Sequence, residues 1–324
     1  MSTLCYVVLP IVVLLGILRK CQEYTWGKCK DTSNLKDKVY LVTGANSGIG
    51  KETVKELIKR NARVIMACRN MENAKNTIKE IRSKIHTGEM IPMEIDLSSL
   101  SSIRKFCNNV LNDFSQIHGL INNAGVYVPL NNHALTNDGF EIHFGINHLG
   151  HFLLTNLLLD RIKSSAPSRI VIVTSKLLES GTIDFSNLNA EKGLQAKGRM
   201  NPGYCNSKLA NAYFAKELSK RTENTGVNVY MVCPGFTYTG LFRNVKRSWF
   251  HYILFSPIAL LFLRTAYQGA QTVINCATDV NLSNESGLLY RNCKIYNSKK
   301  KLDDNISKQL WDISASLTRL DSVG

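Results

Sequence analysis

Val39-Tyr-Leu-Val-Thr-Gly-Ala-Asn-Ser-Gly-Ile-Gly50 is the stretch that decides the fold. It opens as a short apolar run of strand length, then passes through Gly44, Gly48 and Gly50 at G-x-x-x-G-x-G spacing. Beyond Gly50, Val54, Leu57 and Ile58 recur at helical spacing. A buried strand, a glycine turn and a helix start present main-chain N–H groups and a positive helix end to a phosphate. The candidate phosphate contacts are therefore Gly44, Asn46, Ser47, Gly48, Ile49 and Gly50. Outward from this unit, strand-like runs at 63–69, 90–95, 119–122, 170–174, 227–232 and 287–290 are separated by helical patterns. The helices are expected at 71–84, 101–114, 140–163 and 304–317, with another starting at 268. Such alternation predicts an α/β chain with a parallel sheet and helices on both faces.

The second informative stretch is Tyr204-Cys-Asn-Ser-Lys208, which sets a phenol and an ammonium four residues apart on one helix face. A phenol titrates near pH ~10 and gives up its proton poorly at neutral pH unless a cation steadies the phenolate. Lys208 is the candidate for that cation.

Taken with the glycine turn, this pair resembles the short-chain dehydrogenase/reductase family. Asn122-Asn-Ala-Gly125, Asn147, Ser175 at the close of its strand, and Pro234-Gly235 stand in the family's order. Gly44-Ala-Asn-Ser-Gly-Ile-Gly-Lys-Glu52, Ala67-Cys-Arg69 and Asn147-His-Leu-Gly-His-Phe152 carry the resemblance further, to the microsomal NADP-dependent retinol dehydrogenases. It implies a Rossmann-type doubly wound parallel sheet, with residues 37–324 as the catalytic domain. It also implies Tyr204 as general acid and base, Lys208 acting on the phenol and the nicotinamide ribose, Ser175 on the substrate oxygen, and Asn147 in a proton relay. By the same resemblance Asp96, with Leu97, meets the adenine, and Asn123, Ala124 and Gly125 line the nicotinamide ribose. Pro234, Gly235, Thr237 and Thr239 lie by the carboxamide.

Arg69 ends the second strand about 20 residues after the glycine turn, where an acidic side chain would bond a ribose hydroxyl and a basic one accommodates an extra phosphate. Its charge points to NADP/NADPH. The net charge of +15 admits an anionic membrane or a polyphosphate cofactor as partner. The basic residues are dispersed, Lys299-Lys300-Lys301 being the one run, and no nucleic-acid module is recognisable, so nucleic acid is not an expected partner. Nine cysteines without C-x-x-C pairs fit reduced thiols, with Cys68, Cys107, Cys233 and Cys276 as small core residues. His143, His148 and His151 have no acidic residue among them, and no metal is expected.

Before the sheet, Leu4 to Leu18 is almost continuously apolar and the positive charges, Arg19, Lys20, Lys28 and Lys30, follow it. That order predicts an uncleaved N-terminal membrane anchor helix over 1–20, with 21–36 as a juxtamembrane linker and the body on the cytosolic side. The resemblance places such an anchor in the endoplasmic reticulum membrane as a single pass. A second apolar run, 249–263 within a lid spanning 236–265, is expected to cover a lipophilic alcohol or aldehyde and to touch the membrane interface. Retinol/retinaldehyde leads the substrates; farnesol-like and steroid substrates stay open, as does a cofactor-binding scaffold without turnover. Family members pair through long helices, which makes a homodimer an expectation.

Overall fold

Side chains along each strand point alternately into two apolar layers, and this alternation is what builds the molecule. Val39 and Leu41 enter one layer, Tyr40 and Val42 the other. On the neighbouring strand Ile65 and Ala67 join the first, Val64, Met66 and Cys68 the second. A strand with both faces covered has to be apolar throughout, which is why 39–43 reads as a continuous run.

In this computed structural model the described residues are 2–130, 134–195, 200–242, 259, 261–283 and 285–320. In chain order the elements are α1 (Ser2–Thr25), β1 (Val39–Thr43), α2 (Gly48–Lys59), β2 (Arg63–Cys68), α3 (Met71–Arg82), β3 (Glu89–Glu94), α4 (Leu100–Asp113) and β4 (Gly119–Asn122). They continue as α5 (Gly150–Ser164), β5 (Ser168–Val173), α6 (Pro202–Arg221), β6 (Val227–Val232), α7 (Ala266–Thr278), β7 (Leu288–Arg291), β8 (Lys294–Ile295) and α8 (Asp304–Thr318). The sheet order is β3-β2-β1-β4-β5-β6-β7-β8, parallel throughout except for the antiparallel β7/β8 edge. Pro92 sits in β3, the outermost strand, where a missing N–H costs least. Helices α2, α3 and α7 pack on one face, α4, α5, α6 and α8 on the other. This is the doubly wound Rossmann-like arrangement, and its strand order reverses between β1 and β4. Ligands of such sheets lie outside the strands' carboxyl ends at that reversal.

Several expectations change in detail. The helix expected over 140–163 is two pieces, a π-helical turn over Phe144–Leu149 followed by α5. The cause is local: the Glu141 carboxylate accepts from the N–H groups of His143 and Phe144 at 3.1 and 2.8 Å, so the chain enters its helix there. β8, too short to show a period, was not expected. Cys68, Cys107, Cys233 and Cys276 are buried core residues.

The N-terminal region differs most. α1 runs past residue 20 to Thr25 and contains Pro10, and among the described residues no helix is long and apolar enough to cross a membrane. The stretch expected to be a linker is docked on the domain, with Trp26 and Leu35 buried and Arg60 paired with Asp31 at 2.9 Å. Most of the expected lid, 243–258 and 260, lies outside the described residues. The outer side of the α5/α6 pair is in part covered by α8, whose Trp311 ring packs on Phe152 and Phe214 at 5.0 and 5.7 Å between centroids.

Candidate functional site

The residues singled out from the sequence fall along one edge of the sheet, each just past the carboxyl end of its strand. Gly44, Asn46, Ser47, Gly48, Ile49 and Gly50 follow β1, Arg69 follows β2, and Asp96 and Leu97 follow β3. Asn123, Ala124 and Gly125 follow β4, Ser175 follows β5, and Pro234, Gly235, Thr237 and Thr239 follow β6.

Thr43, the last residue of β1, ties two of these groups together. Its hydroxyl accepts from the N–H groups of Asn123 and Ala124, each at 2.9 Å, and faces His151 Nε2 at 2.9 Å. Asn123 answers by donating its amide to the Thr43 carbonyl at 2.8 Å. Gly50 closes the turn from the helix side: a Cβ there would lie 2.3 Å from the Gly44 carbonyl oxygen and 2.7 Å from Asn123 Nδ2. Only a residue without a side chain lets the start of α2 come that near the strand. Ser47, at the position preceding α2, makes no capping bond with its side chain. Thr239 reaches across from the far side and would meet a Cβ on Gly48 at 3.1 Å.

Toward β2 and β3 the edge is open. Arg69 is exposed and has no ion-pair partner among the described residues. Asp96 Oδ1 accepts from the N–H and the hydroxyl of Ser98 at 2.9 and 2.8 Å. The β6 turn is asymmetric. Thr237 turns its hydroxyl inward, to the Pro234 carbonyl at 3.3 Å and against Gly269, so its side chain does not enter the crevice as expected.

Lys208 and Asn147 converge on Gly125, with Tyr204 one helical turn before Lys208. Asn147, fully buried in the π-helical turn, accepts from Val126 N–H at 2.8 Å and donates to the Val126 carbonyl and the Ser207 hydroxyl at 3.2 and 3.0 Å. A buried amide needs such partners, and a π-turn recurs where a helix has to present one at a working site. A Cβ on Gly125 would touch Asn147 Oδ1 at 3.4 Å and Lys208 Nζ at 3.8 Å. Lys208 donates to the Val173 carbonyl at 2.9 Å, and burial pulls its ammonium from the ordinary 10.5 down to about 8. Thr174 and Ser175 point apart, as strand alternation requires. The Thr174 hydroxyl donates to the Lys208 carbonyl at 2.7 Å, while the half-buried Ser175 hydroxyl accepts from Leu177 N–H at 3.2 Å.

The phenol–ammonium pairing expected from the sequence is not direct. Lys208 Nζ lies 5.7 Å from the Tyr204 ring centroid, and burial pushes the Tyr204 hydroxyl well above its usual range instead of the ammonium lowering it. That hydroxyl has no hydrogen-bond partner among the described residues. The ring is held edge-on by Tyr127 at 5.4 Å and His143 at 6.0 Å. His143 does have an acidic partner, contrary to the sequence reading: Nδ1 meets Glu141 Oε1 at 2.6 Å while Nε2 accepts from Val128 N–H at 2.9 Å. His148 faces Ser314 and His151 faces Thr43, so the three histidines serve three different neighbours. Burial lowers both, to about 3 and about 4, which keeps them neutral.

Thr43, Tyr127, Glu141, His143 and Ser207 were not found from the sequence. Thr43 carried a faint signal as the last residue before the glycine turn; the rest depend on how distant segments meet. A cleft of about 560 Å³ lies beside this set, between Phe144, the 180–195 loop and the start of α6. Its lining includes neither Tyr204, Lys208 nor Ser175, so chemistry rather than volume defines the site.

Known proteins resemble this chain in sequence and in fold. The chain is 41% identical to human retinol dehydrogenase 11 over 321 residues, covering 99% of this chain and 98% of that one. Against human retinol dehydrogenase 12 it is 42% identical over 297 residues, covering 91% and 90%. A crystal structure of an uncharacterized protein from Mycobacterium paratuberculosis superposes with a TM-score of 0.69 at 30% identity, covering 91% of this chain and 98% of that one. The Pseudomonas aeruginosa RhlG/NADP active-site complex shares the fold, with a TM-score of 0.64 at 22% identity over 80% of this chain and 95% of that one. The sequence pattern of the short chain dehydrogenases matches residues 38–248, the span from the first strand to just past the β6 turn. The strand-edge site and these likenesses lead to one conclusion, that the chain belongs to the short chain dehydrogenase family.

Proposed function

We propose that this protein is an NADP(H)-dependent oxidoreductase interconverting a lipophilic alcohol and its aldehyde, with retinol and retinaldehyde first among substrates. The observation that carries this reading is the Tyr204 hydroxyl: carried on a buried ring, not itself sealed from solvent, one helical turn from Lys208, and without a partner among the described residues. A hydroxyl that opens to the crevice and bonds nothing around it is available to the oxygen of an incoming ligand. The names of the relatives, both retinol dehydrogenases, support the substrate class.

When bound, the dinucleotide supplies or accepts hydride. The chain's own part is to hold it and to move one proton. The turn from Gly44 to Gly50 and the start of α2 would take the pyrophosphate, Arg69 the 2′-phosphate that marks NADP, and Asp96 with Leu97 the adenine. Asn123, Ala124 and Gly125 would flank the nicotinamide ribose, with Pro234, Gly235, Thr239 and the main chain at Thr237 around the carboxamide. Tyr204 is the general acid in reduction, and burial favours the protonated phenol that this direction requires. Ser175, its O–H directed away from the main chain it accepts from, steadies the substrate oxygen. Asn147 and Lys208 continue the proton path behind the phenol. The reading includes attachment to the endoplasmic reticulum membrane with the domain on the cytosolic side; the exposed Leu9, Val12, Leu14 and Ile17 of α1 support the membrane contact.

The test is NADPH oxidation by the purified chain in detergent with all-trans-retinal, farnesal and a steroid ketone, beside the Tyr204→Phe variant. Retinal is expected to be consumed fastest, and the variant to lose about 10²-fold or more in turnover while still binding NADPH. Absence of consumption with every carbonyl, or a variant of normal turnover, refutes the reading.

A further inference from the structure

Arg264 is a buried arginine, 4% exposed, with no carboxylate partner among the described residues. An arginine so placed is costly to hold, and its contacts show what it is for. Nη1 donates to the Pro234 carbonyl at 3.2 Å, Nη2 donates to Asn292 Oδ1 at 2.6 Å, and the guanidinium carbon lies 4.9 Å from the centroid of the Trp26 ring. The group runs directly beneath Gly235, whose φ is +82° and where a Cβ would meet the guanidinium at 2.6 Å. The main chain repeats the link, since Arg264 N–H donates to the Phe236 carbonyl and Tyr238 N–H to the Arg264 carbonyl, both at 2.8 Å. The Pro234-Gly235 turn therefore rests on one side chain.

That side chain is itself held from the N-terminus. Trp26 is 6% exposed and takes Arg264 on its ring together with Arg19, 4.6 Å from the same centroid. Arg19 donates to the Leu263 carbonyl at 2.8 Å, and Gln268 Nε2 donates to Glu23 at 3.1 Å, so the end of α1 is fastened to the residues on either side of Arg264. Gly27 follows with φ +72°, where a Cβ would lie 2.1 Å from the Asn292 carbonyl oxygen. The stretch read from sequence as a tether thus closes over the back of the β6 turn.

We propose that Trp26 and Arg264 are positioning residues for the cofactor, the N-terminal segment holding the Pro234-Gly235 turn in place through the Arg264 guanidinium; this rests on the NADP(H) reading above. In this arrangement the segment before the sheet is part of the cofactor site, although it touches no cofactor.

The test uses the full chain in detergent and reads the NADPH dissociation constant from the fluorescence of the bound nucleotide, with cofactor and substrate KM measured in parallel. Trp26→Leu removes the ring and is expected to weaken NADPH by about tenfold, the loss of roughly one desolvated cation–π contact. Arg264→Lys keeps the charge but not the fork and should weaken NADPH to a similar degree. Trp26→Phe retains a ring and stays within about threefold of the parent. Arg63→Gln, which opens an exposed ion pair with Glu89 at the β2/β3 edge, leaves the constant unchanged. Cofactor KM rises with the dissociation constant while substrate KM holds. If Trp26→Leu does not fold, Arg264→Lys against Trp26→Phe decides the matter. Parent-like NADPH binding in both Trp26→Leu and Arg264→Lys, or an equal rise in the two KM values, overturns the inference. A parent chain that binds no NADPH overturns the functional reading instead, and this inference with it.

Discussion

Replacing Asn147 by leucine should cost both stability and turnover, and the structure gives the size of the first. The amide makes three hydrogen bonds from a fully buried position, two to the main chain at Val126 and one to Ser207. Leucine has nearly the same shape, so the change removes bonds rather than volume. It strands the Val126 N–H and carbonyl, at about 1–3 kcal/mol for each buried group left unpaired. The apolar side chain returns roughly 1–2 kcal/mol by its own burial. At the centres of these ranges the net loss is about 2.5 kcal/mol. With an unfolding entropy of about 2.1 cal/mol/K per residue, near 0.7 kcal/mol/K for a chain of this length, that lowers Tm by about 4 °C. The assay is thermal unfolding followed by circular dichroism, with turnover measured well below both midpoints. Turnover should fall by about 10²-fold, because Ser207, which donates to the Tyr204 carbonyl at 2.8 Å, loses the group that fixes it. An unchanged Tm would mean that the amide does not hold the 125–126 loop, and a lowered Tm with full turnover would remove Asn147 from the proton path.

Gly50→Ala places a Cβ against the Gly44 carbonyl and the Asn123 amide, neither of which can yield, so NADPH affinity should fall more than about tenfold and stability by about 1–3 kcal/mol, seen in a nucleotide titration and a urea melt. Arg69→Ala should raise KM for NADPH by about 10- to 100-fold, leave KM for NADH unchanged and leave Tm alone, because the side chain is exposed and bonds nothing described. Rising pH should move turnover and stability in opposite directions: Lys208 loses its proton near 8 in the folded chain and near 10.5 once unfolded, so between these values the unfolded state binds more protons and stability climbs. Turnover, which uses the ammonium, declines through the same window, and pH–rate and pH–melting profiles falling together would contradict this assignment.

The central strands β1, β2, β4, β5 and β6 were legible because they are almost wholly buried and bounded by polar turns, so their limits shift by only a residue or two. The Tyr204–Lys208 stretch was legible for a different reason: both residues lie on one helix, where spacing alone fixes which side chains share a face. Spacing could not say which way the ammonium points. The Val173 carbonyl claims it, and that carbonyl belongs to a strand far away in sequence. The start of the helix that carries the π-turn was hidden likewise, because it is set by the Glu141 carboxylate folding back on the N–H groups that follow. The docking of 26–36 on the domain was hidden by the same logic. Polar composition looks like solvent exposure until Asp31, Arg60 and Thr278 are seen to satisfy one another.

Around the glycine turn and α6, the polar side chains are directed mostly at main chain rather than at one another. Thr43 and Asn123 join β1 to β4, Asn147 holds the loop after β4, and Thr174 and Lys208 bind β5 to α6 in both directions. Each fixes a strand end relative to a neighbour, so the crevice at the β1/β4 reversal is rigid before anything enters it. Rigid placement is what a short-lived proton and hydride transfer needs, since a displacement of about 1 Å can cost 10²-fold in rate. Against that background a hydroxyl without a partner is informative. Tyr204 is packed by Tyr127 and by a His143 whose tautomer Glu141 and Val128 fix, so its ring has no freedom to find a bond elsewhere. With its ring clamped and its hydroxyl unbonded but open to solvent, this phenol offers a donor to a ligand, and the reacting oxygen of an alcohol or aldehyde is what that donor suits.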